Sequence, residues 1–382
     1  MPLSGTLAPS ATRLPRLLEF LGHDPENLPL IADAAVAALD EGQPDQAEML
    51  LERYAGLSSL PASMLNLKGL IAIQSGRFVD AEGVFQGLLA DNPGDPTLCF
   101  NLAWCKAMLQ DYDAVCALLD ETAAAASPQA ARLKIQALHH LGQLAEALTW
   151  GRGLAGRFAD DAALAGALAA VAIDAEDVVL AEHYAKRAGN QHDGVATLGM
   201  LRLNDEQIDE ALTLFDRALG AYPQDARALL GKGLGLLAKG DLTAAPAYID
   251  QAAERFGHHL GSWVAAGWAY FINGDAATSR ARFETALALD DTFAEIHGGL
   301  AVLDVTEGKL ESAKRRTEIA LRLDRNCFSA ALAKSLMLTR QGDLQSAARI
   351  QKIALNVPLG ASGRTIAQAM ARMALAAGKP PR

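Results

Sequence analysis

The chain is 382 residues long, with 34 Lys and Arg against 45 Asp and Glu and a formal charge of −11. That balance argues against general affinity for nucleic acid, which requires a basic face. Hydrophobic residues make up 51% but aromatic residues only 5%. Much of the apolar share is alanine, which suits closely packed helices better than one large globular core.

Residues 1 to about 11, rich in Pro, Ser, Gly and Thr, read as disordered. A short helix is expected near Thr12–Leu21, ended by Gly22 and Asp24-Pro25, where it would cap the exposed apolar end of the first helix pair. From Leu28 the chain reads as pairs of short helices, with regular units starting near Leu28, Ala62 and Pro96. The unit near Pro128 carries Gly151, Gly153 and Gly156 inside its second helix. The next, Ala162 to Gln191, is four residues short and has no aromatic anchor in its first helix. This middle stretch is expected to be the softest part of the chain. Regular spacing resumes at His192 and holds to Ala361, with Pro246 causing at most a local kink. A last helix near Gly363–Ala377 would close the C-terminal end. The expected organisation is an N-terminal segment (1–27), a first array (28–191), a second array (192–361), and a terminal cap and tail (362–382).

The period is explicit in the small residue near the start of each second helix: Ala47, Ala81, Val115, Ala147, Ala181, Ala211, Ala245, Ser279, Ala313 and Ala347. Neighbours differ by 34, except for 32 between Val115 and Ala147 and 30 between Ala181 and Ala211. Five residues earlier stands a turn glycine, at Gly42, Gly76, Gly142, Gly240, Gly274, Gly308 and Gly342. Gln110, Glu176 and Glu206 take that place in the other three units. A small side chain lets two antiparallel helices approach, and the glycine ends the first of them.

The clearest unit is Leu260–Phe293. Trp263, Ala266, Gly267 and Tyr270 recur at helical spacing on its first helix, and Ser279, Phe283 and Ala286 on its second. This resembles the tetratricopeptide repeat (TPR) signature, W-x2-L-G-x2-Y followed by A-x3-F, with Ala266 for the Leu and Ser279 for the Ala. The resemblance extends over about ten tandem units. It implies an all-α, right-handed superhelical solenoid of antiparallel helix pairs.

By the same resemblance, one face of each first helix lines a concave groove that receives a peptide or helix. The implied positions are Asn66, Leu70 and Ile73; Phe100, Trp104 and Ala107; and Arg132, Gln136 and His139. In the second half they are Ala196, Met200 and Leu203; Leu230, Leu234 and Leu237; Val264, Trp268 and Phe271; and Gly298, Val302 and Val305. The second set is almost wholly apolar. An apolar surface of that extent marks a binding site for an amphipathic helix, or else is buried by a tightly wound superhelix or by self-association. A clamp for a terminal carboxylate is not expected, since only Asn101 conforms among Asn66, Leu70, Asn101, Gln129 and Leu133.

From Ala301 onward there are 14 Lys and Arg against 6 Asp and Glu, and the remainder carries 20 against 39. Lys314, Arg315, Arg316, Arg349 and Lys352 are therefore either a solvated face or a docking patch for an acidic protein or anionic membrane surface. No catalytic or cofactor motif stands out. Gly151–Gly156 matches GxGxxG literally, but it lies inside an expected helix with no strand before it. His139-His140 and His258-His259 are adjacent pairs pointing to different sides of a helix, and no Cys/His spacing suits zinc. Cys99, Cys105, Cys116 and Cys327 form no CxxC pair or disulfide framework, which fits buried thiols in a reducing compartment. The longest uncharged stretch, Phe256–Gly274, contains two His and four Gly and is in phase with the repeat, so no membrane span is expected.

The function expected from the sequence is a non-catalytic, cytoplasmic scaffold or adaptor that binds a protein or peptide partner without metal or cofactor. The alternative is a regulator whose superhelix changes shape when it senses a peptide or other ligand. The Ala-rich composition suggests a bacterial source.

Overall fold

The computed structural model describes residues 13–356 and two short strands, Pro358–Leu359 and Arg364–Thr365, which pair antiparallel. The expected disorder of residues 1–11 lies outside the described residues. So does the expected C-terminal helix, apart from the strand at Arg364–Thr365. The chain divides into two compact units, Met1–Leu164 and Ala165–Arg382.

The first unit opens with α1 (Arg13–His23). Four helix groups follow: α2 (Leu28–Asp40) with α3 (Pro44–Leu57), α4 (Ala62–Gln74) with α5 (Phe78–Asp91), α6 (Pro96–Met108) with α7 (Tyr112–Leu118) and α8 (Glu121–Ala124), and α9 (Pro128–His140) with α10 (Leu144–Arg157). Six pairs make up the second unit. They are α11 (Ala162–Asp174, which begins just before the division) with α12 (Val178–Ala188), α13 (His192–Asn204) with α14 (Ile208–Ala221), α15 (Ala226–Lys239) with α16 (Ala245–Phe256), α17 (Leu260–Ile272) with α18 (Ala276–Leu289), α19 (Ala294–Thr306) with α20 (Leu310–Leu323), and α21 (Phe328–Arg340) with α22 (Leu344–Leu355). Over the described residues each unit is thus an α-solenoid, and together they hold ten helix pairs.

Local sequence explains where the helices start. The carboxylates of Asp95, Asp111, Asp177, Asp225, Asp275 and Asp343 each accept a hydrogen bond from a first-turn N–H of the helix they precede. Pro44, Pro96 and Pro128 occupy first helical positions, where a missing N–H costs nothing. Pro246 lies in the first turn of α16 for the same reason.

The stops are equally regular. The N–H after each turn residue donates back five residues to a first-helix carbonyl, from Gln43 to Ala38 through to Asp343 to Leu338. That closure puts the turn residue in the left-handed region. All seven turn glycines have positive φ, and so do Gln110 (62°), Glu176 (58°) and Glu206 (65°), the residues that replace glycine in the other units.

The anchors sit where the spacing requires. Nine of the ten small residues are fully buried, and Ala347 is 5% exposed. Phe85, Phe215 and Phe283, four residues after the anchors of their units, are also fully buried. Glycines line their rings: a Cβ at Gly69 would come within 2.5 Å of Phe85, and at Gly199 and Gly231 within 2.6 and 2.2 Å of Phe215. At the amino end, Leu14 and Leu21 of α1 join the core formed by Ile31, Ala34 and Ala38 of α2, as a capping helix should.

The departures from 34 residues have visible causes. In the 32-residue step, α7 stops after two turns at Leu118, and the one-turn α8 follows. Lys134, buried on α9, donates to the freed carbonyl of Cys116 at 2.7 Å and lies over the Trp150 ring at 4.7 Å. In the 30-residue step, α12 has 11 residues where other second helices have up to 14, and it ends at Gly189 with φ 60°. α10 runs unbroken through Gly151, Gly153 and Gly156.

Candidate functional site

In the second unit, Leu230, Leu234 and Leu237 of α15 and Val264, Trp268 and Phe271 of α17 share the same three-and-four spacing. All six are half-buried and pack against one core that includes Ile249, Trp263 and Phe283. Trp268 stands edge-on to Phe271, with centroids 5.5 Å apart and planes at 90°. Trp263, five residues earlier, is 8% exposed and its Nε1 donates to the Gly257 carbonyl at 2.6 Å. The two tryptophans differ in burial, about 140° apart around one helix at 100° per residue.

The remaining expected groove residues are distributed differently. Val302 and Val305 of α19 are 0% and 1% exposed, packed with Trp268, Phe271, Leu332, Leu336 and Met337. They support the apolar face from behind and offer no surface, because α21 folds against that side of α19. Met200 and Leu203 pack in a separate core around Phe215. In the first unit, Phe100 and Trp104 form a tilted pair at 6.4 Å. Both are half-buried, as are Asn66, Leu70, Ile73, Arg132, Gln136 and His139, while Ala107, Ala196 and Gly298 are buried.

Among the basic residues, Lys314, Arg315, Arg349 and Lys352 are exposed. Arg316 is not available in the same way. Its Nε donates to Asp304 at 3.1 Å, so the guanidinium that looked like part of an outer patch is held inward. Asp304, 1% exposed, also accepts from Arg280 at 2.7 Å and from the Ser312 hydroxyl at 2.6 Å. Burial pushes its carboxyl upward, but Ser312, Arg280 and Arg316 outweigh that and hold it below the usual carboxylate range. This network ties α18 and α20 to α19. A second buried carboxylate, Asp250, accepts from Arg282 at 2.6 Å and from the Tyr270 hydroxyl at 3.2 Å.

Two buried thiols are far from activated. Burial, then Glu82, raises the Cys105 thiol to about 11, and burial, then Glu295, raises Cys327 to about 12. Thiols held so far up are protonated and inert near neutrality. No helix of the described residues is long and apolar enough to cross a membrane.

Family comparisons agree with the geometry. One tetratricopeptide repeat model matches residues 32–96 and 197–258, and a second matches residues 72–137. Over those residues the chain is built of tetratricopeptide repeats. Its TPR fold is similar to that of human IFIT1 in a dimer with PPP-AAAA, at 14% identity over 90% of this chain and 92% of that one, with a TM-score of 0.53. Human IFIT1 in a dimer with m7Gppp-AAAA matches at 13% identity over 90% and 94%, with the same TM-score. The structure of MamA matches over 41% of this chain and 92% of its own, at 18% identity and a TM-score of 0.35. No curated protein sequence matches the chain.

Proposed function

We propose that this TPR protein is a non-catalytic scaffold or adaptor whose second unit receives an amphipathic helix from a protein partner. The observation that carries the reading is the half-buried apolar face of Leu230, Leu234, Leu237, Val264, Trp268 and Phe271. Aliphatic and aromatic side chains repeat there at intervals of four and three on two helices of like kind. A partner helix with apolar residues at i, i+3 or i+4, and i+7 matches that periodicity. The half-buried Trp268 and Phe271 supply the aromatic anchor that such interfaces use.

Lys314, Arg315, Arg349 and Lys352 offer an additional contact for an acidic partner, felt at a distance and screened by salt. The compartment we propose is the cytoplasm, where the four free thiols stay reduced. The IFIT1 structures hold PPP-AAAA and m7Gppp-AAAA. At 14% identity that likeness shows the fold, and a formal charge of −11 sets this chain apart from a general phosphate binder.

Selection of displayed helical peptides on the immobilised full chain tests the reading. Enrichment of amphipathic helices with one apolar face supports it. A selection that returns extended or uniformly polar peptides, or no enrichment, would overturn it.

A further inference from the structure

We propose that His192, Asp193 and Asp225 form a binding site for a divalent metal ion, with Zn²⁺ the ion that fits. His192 and Asp193 open α13, and Asp225 caps α15, one repeat further on. The repeat period is what brings them together, since His192 and Asp225 are 33 residues apart. His192 Nδ1 lies 2.6 Å from Asp225 Oδ2 and 3.4 Å from Asp193 Oδ1. One donor atom from each residue falls within 4.8 Å of both others.

That spacing is close to what a small ion needs. Zinc bound at about 2.0–2.2 Å by tetrahedral nitrogen and oxygen ligands holds its donors roughly 3.3–3.5 Å apart. The His192–Asp193 separation already matches, and the His192–Asp225 pair must open by less than about 1 Å. Asp225 is 5% exposed, and its Oδ1 accepts the Ala228 N–H at 2.9 Å, which turns Oδ2 toward the imidazole. A ligand oriented in this way by an outer hydrogen bond is typical of metal sites. The Tyr222 ring lies against the imidazole, with centroids 4.8 Å apart, and restricts its rotation.

The local charge also favours a cation. Asp174, Asp193 and Asp225 supply three carboxylates. Arg227 is the neighbouring guanidinium, engaged with both oxygens of Asp174 at 2.7 Å. Three carboxylates thus stand against one guanidinium. Arg227 also interacts electrostatically with Asp225 and Asp193, which weakens their hold on a cation. Three protein ligands leave a fourth position open to water or to a donor from a partner. None of its three ligands belongs to the apolar face on α15 and α17.

Calorimetric titration of the tag-free, EDTA-stripped full chain with zinc chloride is the test. The expected result is one saturable equivalent. His192→Ala and Asp193→Asn should each weaken it at least tenfold, with melting of the metal-free protein unchanged for Asp193→Asn. Should His192→Ala fold poorly, Asp193→Asn still decides, because that side chain is only half-buried. Absence of a saturable equivalent, or binding that survives Asp193→Asn at full strength, overturns the proposal.

Discussion

Trp268 and Phe283 stand edge to face, with ring centroids 5.5 Å apart and planes at 83°. Phe283 is fully buried, and Trp268 is half-buried, packed against that core and against the one around Val302 and Val305. It is a supporting residue as well as a candidate contact. Trp268→Ala should therefore cost about 1–2 kcal/mol, more than a surface substitution. Trp263→Ala removes a side chain that is 8% exposed and should cost about 3–5 kcal/mol. Thermal melts of the two variants check the order. Equal losses would place Trp268 wholly in the core.

Gln110 and Glu176 hold φ of 62° and 58° at positions where most repeats place glycine. A side chain in that region strains the backbone by about 1–2 kcal/mol, and glycine relieves it. Gln110→Gly and Glu176→Gly should each stabilise by about 1 kcal/mol in urea denaturation. A loss of stability would mean that side-chain contacts, not backbone geometry, hold those turns.

Gly231 and Gly153 set helix propensity against packing. Both lie inside helices, where Ala is favoured over Gly by about 1 kcal/mol. A Cβ at Gly231 would come 2.2 Å from the Phe215 ring, whereas one at Gly153 meets nothing within 4 Å. Gly231→Ala should then destabilise by roughly 1–3 kcal/mol, and Gly153→Ala should stabilise by up to about 1 kcal/mol. Denaturant midpoints of the pair measure the difference.

Asp304 gives stability a dependence on acid. Its folded carboxyl titrates below the usual range, so the folded state binds this proton more weakly than the unfolded state. The contribution is fully present above the unfolded value of about 3.9 and is lost as pH falls through it toward the lower folded value. Asp304→Asn leaves two arginines short of a partner and should cost about 3–5 kcal/mol at pH 7. That gap should narrow below about pH 4. Melts of both proteins between about pH 7 and pH 3 provide the comparison, and a gap independent of pH would contradict it.

The repeat was legible in the sequence because it rests on residues whose size or backbone the fold constrains strongly. Ala47, Ala81 and Ala211 must be small, and Gly42 and Gly76 must turn left-handed, so spacing alone located them. The shortened α7 was less legible. A step of 32 residues shows a unit two residues short, but not that α7 stops at Leu118 with the Cys116 carbonyl met by Lys134 from another helix. The buried network of Asp304, Arg280 and Arg316 left no periodic mark either. Arg316 reads as one of three adjacent surface cations, and only tertiary packing turns it inward. Val302 and Val305 share the groove register of Trp268 and Phe271, and differ because α21 covers them. His192 and Asp225 carry no local motif, since one whole repeat separates them.

Affinity measured against matched surface variants decides whether the apolar face of α15 and α17 receives a partner helix. Anisotropy titrations of a selected amphipathic helix would compare the wild-type chain with Leu234→Ser, Trp268→Ala and Leu344→Ser. Leu344 is 64% exposed on α22, away from the face. Binding should weaken at least tenfold for Leu234→Ser and for Trp268→Ala in protein that still melts cooperatively, with Leu344→Ser unchanged. Equal affinity across all four proteins would contradict it.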